Sequence, residues 1–324
     1  MTTRSPSSLT GIWFILGGMF AISLNDVLIK GFSGAYPLHQ LVFTRSAIGL
    51  FFSLIIVQLE GGWRILKTDQ PVLHTVRALM IVVSNMTFFS AIAVLPLAET
   101  TALFFAAPLF ITLLSVPVLG ERIGFMRISA VLVGFLGVLL MQRPWESLGE
   151  SEVNRLVLLL PVLSALTYAI NQVMTRKLGV KSKASALAVY IQVTFIFVSL
   201  GFFMAAGDGR YADQFENPAM TFLLRAWVWP LAEDWPYLVG LGVLSATVGY
   251  CLSQAYRLSD AATVAPFEYV GLPLAVFWGF VIFGEWPDLA IFAGIALIMS
   301  SGLFVFFRER ALARRITRPT NMRR

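Results

Sequence analysis

Ten apolar windows of about 20 residues each occupy most of this chain and leave it few ways to fold. They run over approximately 11–31, 38–59, 72–95, 99–119, 126–142, 156–178, 184–206, 236–257, 261–283 and 288–307. A helix needs about that length to cross roughly 30 Å of hydrocarbon, where lipid offers no partner to an unpaired backbone amide. The windows therefore predict an all-α integral membrane protein with ten transmembrane helices. Charge content agrees: 13% of the 324 residues are Asp, Glu, Lys or Arg, about half the share in a soluble domain.

Two interruptions between windows are longer than the rest. Residues 143–155 carry Glu146, Glu150 and Glu152 and read as a linker. Residues 207–235 begin polar and acidic, then become Trp-rich over 220–230. That second piece is too short to span and is expected to form an interfacial helix.

Basic residues set the orientation, because Lys and Arg in short loops stay on the cytoplasmic side. Placing both termini inside puts 18 of the 24 there, including Arg64, Lys67, Arg77, Arg176 and seven arginines of the 308–324 tail. The opposite face receives five: Lys30, Arg143, Arg155, Arg210 and Arg225. Arg45 remains inside a span. The tail reads as a topology signal on anionic headgroups, so the net charge of +6 does not call for nucleic acid. The first window lacks a small-residue cleavage pattern and is expected to persist as a helix. A single cysteine, Cys251, and two distant histidines, His39 and His74, argue against a disulfide, a metal site or a bound cofactor.

The chain also resembles itself. Asn25-Asp26-Val27-Leu28-Ile29-Lys30 matches Asn171-Gln172-Val173-Met174-Thr175-Arg176 at an offset of 146, and Leu119-Gly120-Glu121 matches Phe283-Gly284-Glu285 at 164. The difference of 18 fits extra material in 207–235. Five windows per half is an odd number, so the halves should enter the membrane from opposite sides. Such inverted repeats recur in secondary transporters.

The Gly-Glu pairs, Lys30 closing the first window and the prolines of the fourth and ninth resemble the paired EamA domains of the drug/metabolite transporter superfamily. The likeness covers about 11–142 and 156–307, leaving 143–155 as an extracytoplasmic linker, 207–235 as an extracytoplasmic insertion and 308–324 as a basic cytoplasmic tail. Within that superfamily, Asn25-Asp26-Val27, Tyr36-Pro37, Phe43-x-Arg45 and the stretch from Asp260 to Tyr269 resemble bacterial S-adenosylmethionine and riboflavin transporters. The resemblance implies alternating-access transport of a small organic metabolite across a bacterial cytoplasmic membrane. It also implies that the fifth and tenth spans serve assembly, which suits Gly134, Gly137, Gly294 and Gly302 in otherwise apolar windows.

Intramembrane charge is costly and normally faces the bundle interior. Helical rise places Asp26 and Arg45 at nearly the same depth, where they could pair or contact substrate. Glu268, between Pro266 and Pro273, is a candidate for proton coupling or for holding a cationic group, with pairing to Arg45 across the bundle as the alternative. Asn25, Asn85, Asn171, Gln172, Gln192, Tyr168, Tyr250, Gln254 and Tyr269 add hydrogen-bonding groups and rings, and together read as a polar pocket between the halves. Glu121 and Glu285 read as helix caps, and His39 as interfacial.

Other functions fit less well. An ion channel would need rings of like charge or carbonyl filters, which the sequence does not repeat. An enzyme would need a His-Glu-x-x-His, Gly-x-Ser-x-Gly or phosphate-loop signature, and none is present. An amino-acid or drug exporter of the same superfamily stays open, as does a monomer or a homodimer. The expected partners are a small-molecule substrate and the lipid bilayer.

Overall fold

The computed structural model describes residues 6–68, 70–120, 124–143, 155–178, 184–214, 217–258 and 267–316. Among these, every regular element is a helix. The longer ones are α1 (Pro6–Phe32), α2 (Leu38–Glu60), α3 (Pro71–Ile92), α4 (Leu97–Phe104), α5 (Ala107–Leu119), α6 (Phe125–Gln142), α7 (Arg155–Leu178), α8 (Ala184–Ala206), α9 (Pro218–Leu224), α10 (Trp235–Leu258), α11 (Gly271–Phe283) and α12 (Leu289–Ile316). Seven stretches are long and apolar enough to cross a membrane, α4 and α5 counting as one; shorter apolar stretches lie at Ile128–Met141, Gly271–Phe283 and Leu289–Phe304.

Helix bounds recur at the offsets read from the sequence. Adding 146 to the bounds of α2 gives those of α8, and adding it to the end of α1 gives the end of α7. Adding 164 to α5 gives both bounds of α11, each of 13 residues, and adding it to the starts of α3 and α6 gives those of α10 and α12. The change of offset falls between α8 and α10, where α9 and its flanking segments are extra.

Local chemistry repeats with the bounds. Both α5 and α11 end on a glycine in the left-handed region, Gly120 at φ 69° and Gly284 at φ 67°, a conformation that penalises any Cβ. Both are preceded by a break in the helix, at Phe105–Ala106 and at Tyr269–Val270, also 164 apart. Pro108 and Pro273 follow these breaks and cannot donate the backbone bonds that would carry a helix through them.

Packing joins the first half of the chain to the second. The most extensive contacts pair α1 with α10, α3 with α7, α2 with α8 and α6 with α12. Small residues permit the close approaches. A Cβ on Gly18 would meet Leu252 and Cys251, and one on Gly137 would lie 2.9 Å from the Gly294 oxygen. Between α3 and α7, Ser84 and Ser164 exchange hydrogen bonds to each other's carbonyl at 3.0 and 2.7 Å. Large apolar side chains such as Phe51, Leu59, Leu132, Phe197 and Phe280 remain exposed, as lipid contact requires.

One end of the bundle is tied shut. Lys30, closing α1, pairs with Glu285 at 2.6 Å and donates to the Leu95 carbonyl at 2.7 Å. The second oxygen of Glu285 accepts the Leu97 backbone amide at 2.9 Å. Glu285 therefore caps α4, a neighbour, rather than serving only its own helix as the sequence suggested; Glu121 lies outside the described residues. At the same end Arg143 pairs with Asp288, joining the end of α6 to the start of α12.

The 217–234 segment lies across this end as a strap. Its helix is only α9, seven residues long; the Trp-rich residues 225–230 are irregular. The interfacial helix expected over 220–230 is thus shorter, because Gln40 takes up the Val228 backbone on both sides, accepting from its amide at 3.1 Å and donating to its carbonyl at 2.6 Å. Tyr36 donates to Asp234 at 2.5 Å and accepts from the Leu231 amide at 3.1 Å, and Arg225 donates to the Gly34 carbonyl. His39, expected at an interface, is fully buried beneath the strap, bonded to the Leu223 carbonyl at 2.8 Å and stacked near Trp227.

Candidate functional site

The polar residues singled out from the sequence are met in three neighbouring groups. The first lies between α1, α2, α3 and α8. Asn25, Asp26 and Arg45 are 6%, 8% and 5% exposed. Asn25 donates to Asp26 at 3.3 Å. The Arg45 guanidinium sits over the rings of Phe89 and Phe195, 5.2 Å from each centroid, an arrangement that stabilises a cation without hydrogen bonds. Asp26 and Arg45 lie close enough for each to bear on the other's charge. Among the described residues, however, no ion pair or hydrogen bond joins them, and Arg45 forms none with Glu268 either. Direct pairing, a natural expectation for two buried charges at one depth, is replaced by the two phenylalanines.

The second group lies between α2, α8 and α10. Gln192 donates to Ser245 at 2.9 Å beside Gly49, whose missing side chain leaves the room: a Cβ there would come within 2.7 Å of the Gln192 amide nitrogen. Below it is a small pocket lined by Ser53, Ile56, Ser185, Ala188, Gly249 and Tyr250. Tyr250 is also edge-on to Phe14 at 6.0 Å. Gln254 follows one turn along α10, half-buried. The pocket lies toward the end of the bundle opposite the strap, where Ser185 donates to Glu60 at 2.8 Å.

The third group surrounds the two helix breaks. Tyr269 stacks on Phe105 at 5.3 Å, and Tyr168 meets Phe104 edge-on at 5.2 Å. Tyr168 accepts a 2.6 Å bond from Gln172, one helical turn on. Glu268 is half-buried on the short helical turn before the break, and its charge bears on the phenols of Tyr168 and Tyr269. Asn171 is buried on α7 next to Gln172. Asn85, one turn before Phe89 on α3, donates its amide to the Ile81 carbonyl of its own helix at 3.0 Å.

Sequence reasoning passed over several contributors. Phe89 and Phe195 resemble many other apolar residues in their windows, and only their position over Arg45 distinguishes them. Lys30 was counted as a loop charge and Arg77 as part of the 60–77 connection, yet Lys30 is engaged by Glu285 and Arg77 is 6% exposed within α3. One signal for the Lys30 clasp did exist, since Lys30 and Glu285 both belong to the repeated motifs.

Comparison with known proteins places this arrangement. Residues 9–143 match the EamA-like transporter family. Relatives extend the likeness beyond that segment. A riboflavin transporter from Rhizobium johnstonii is 29% identical over 308 residues, 94% of this chain and 93% of its own. An S-adenosylmethionine uptake transporter from Rickettsia prowazekii is 26% identical over 314 residues, 96% of this chain and 97% of its own. A crystal structure, 21% identical, superposes with a TM-score of 0.61 over 98% of this chain and 100% of its own, which speaks to the fold alone. Over nearly its whole length the chain is thus similar to bacterial proteins named as transporters of small metabolites.

Proposed function

We propose that this protein moves a small organic metabolite across a bacterial cytoplasmic membrane by alternating access, as a secondary transporter with both termini inside. In this reading ten spans form two five-helix repeats of opposite orientation, α4 with α5 making the fourth span and α11 completing the ninth. The recurrence of helix bounds at offsets of 146 and 164 supports the repeat, and the excess of basic residues on one set of loops supports the orientation.

The observation that carries the mechanism is the closure of one end by the Lys30–Glu285 clasp and the strap. Toward the other end a small pocket lies between α2, α8 and α10. Buried polar groups lie between these ends. Two related halves that exchange conformations would open the first end as they close the second. Discontinuous spans fit this picture, because the breaks at Phe105 and Tyr269 give each half a point to flex without unwinding whole helices.

S-adenosylmethionine and riboflavin are the favoured solutes, carried over from the names of the relatives. An amino-acid or drug exporter is the second reading, supported by the buried guanidinium and carboxylate. The test is flux in proteoliposomes holding the purified protein, with tritiated S-adenosylmethionine and riboflavin offered in turn. Saturable uptake, accelerated by unlabelled solute on the far side, is expected. Conductance without saturation would mean a channel and would overturn the proposal.

A further inference from the structure

A protein that needed only a structural ion pair in the first group would bring its two charges together. Here they are held near one another and left unjoined. The Arg45 Nε–H is buried with no acceptor, and the two rings over the guanidinium offer no lone pair. Its N–H donors lie in the guanidinium plane, in a fork that matches the two oxygens of a carboxylate. On α1 the deficit is of the opposite sign: Asn25 Oδ1 is buried with no donor, and Asp26 accepts only the one long bond from Asn25 among the described residues. Unsatisfied donors thus face one helix and unsatisfied acceptors the other, all on side chains more than nine-tenths buried. Buried polar groups are ordinarily satisfied, so a set with complementary vacancies points to a ligand that fills both.

We propose that Arg45, Asp26 and Asn25 form the seat of a zwitterionic α-amino-acid group, the solute carboxylate meeting the Arg45 guanidinium and its ammonium meeting Asp26 and Asn25 Oδ1. This rests on the transport reading and narrows it: the solute is an amino acid, or a metabolite carrying an amino-acid head. Phe89 and Phe195 hold the guanidinium in place without competing for its N–H groups. Arg45, Gly49, Ser53 and Ile56 recur at helical spacing along one face of α2, and the last two line the small pocket toward the end opposite the strap. At Gly49 that face packs against the Gln192 amide.

The test uses the purified full chain in proteoliposomes with tritiated S-adenosylmethionine, methionine and riboflavin as probes. Competition comes from decarboxylated S-adenosylmethionine and from an analogue lacking the α-amino group. Uptake of an amino-acid-bearing probe is expected, with each truncated analogue competing at least tenfold more weakly than the intact solute. Arg45→Gln and Asp26→Asn should each lower its uptake at least tenfold while the variants keep the wild-type elution profile, and Arg45→Lys should restore only part. Should a variant fail to fold, competition on the wild type alone decides. Riboflavin uptake with no response to amino-acid probes would overturn the zwitterion seat and leave transport standing. Equal competition by the truncated analogues, or unchanged uptake by folded Arg45→Gln, would also overturn it. A wild type that moves none of the probes would sink the transport reading and the seat with it.

Discussion

Phe105 and Tyr269 stack on each other at 5.3 Å, and each occupies the same position in its own half of the chain, 164 residues apart. This contact is what a two-fold relation between the two halves would produce. It lies at the two helix breaks, where each half can bend. An aromatic pair suits such a point, because rings can tilt or slide and keep most of their contact area.

A double-mutant cycle tests that contact. Phe105→Ala and Tyr269→Ala should each destabilise the protein by about 3–5 kcal/mol, as loss of a buried ring generally does. Their combination should cost less than the sum, by about 0.5–1.5 kcal/mol for the ring–ring contact. Unfolding in mixed detergent micelles reads both quantities. Strict additivity would mean that the two rings contribute independently.

The clasp at the strapped end predicts a different pattern. Glu285→Gln removes the charge partner of Lys30, whose side chain is only 10% exposed, and should destabilise by about 1–3 kcal/mol. Adding Lys30→Met to that variant should return part of the loss, since it removes the stranded cation. Accessibility should also respond: with the clasp cut, a cysteine placed at Ala98, 3% exposed beside the Glu285-capped start of α4, should become open to a membrane-impermeant thiol reagent.

Gly137 and Gly294 hold α6 and α12 against each other, each facing the other's carbonyl oxygen. Backbone cannot move aside as a side chain can. Gly137→Leu should therefore lower stability by about 1–3 kcal/mol through overpacking. Uptake per folded molecule should remain near wild type, because Gly137 meets Gly294, Leu297 and Ile298 there and none of the residues of the three groups. Thermal unfolding followed by size exclusion, beside flux normalised to folded protein, separates the two effects.

The strap carries a pH signature. Burial, with the Asp234 carboxylate alongside, pushes the Tyr36 phenol above its ordinary value. A raised folded pKa means that the protonated form is the one the fold favours. The stabilising contribution of Tyr36 is thus complete below about pH 10 and is lost as pH rises through the higher folded value. Tryptophan fluorescence should show an alkaline transition as Trp227 is released, and Tyr36→Phe should abolish that phase while loosening the strap at neutral pH.

Much of this fold was legible because lipid simplifies the code. Where residues are described the apolar windows fall mainly on helix, apart from the breaks at 105–106 and 269–270 and the turn after Ile92, and Gly120 and Gly284 were visible as a repeated motif before their left-handed geometry gave the reason. Gly137 and Gly294 read correctly as a close crossing. The strap was harder: its position depends on Gln40, Tyr36 and Asp234 meeting across nearly 200 residues of chain, and hydropathy carries no information about such bonds. Arg45 shows the same limit. Its depth followed from counting helical turns, but depth alone cannot tell a carboxylate neighbour from a phenylalanine, and the choice between them settles what the cation is available to do.

The cross-half pairing of helices bears on how such a chain is made. With α1 against α10 and α3 against α7, helices of the first half find their most extensive contacts in the second, so they must wait in the bilayer until those partners emerge from the ribosome. A gene split within 143–155 should accordingly yield fragments that are degraded when made singly and recover activity when made together.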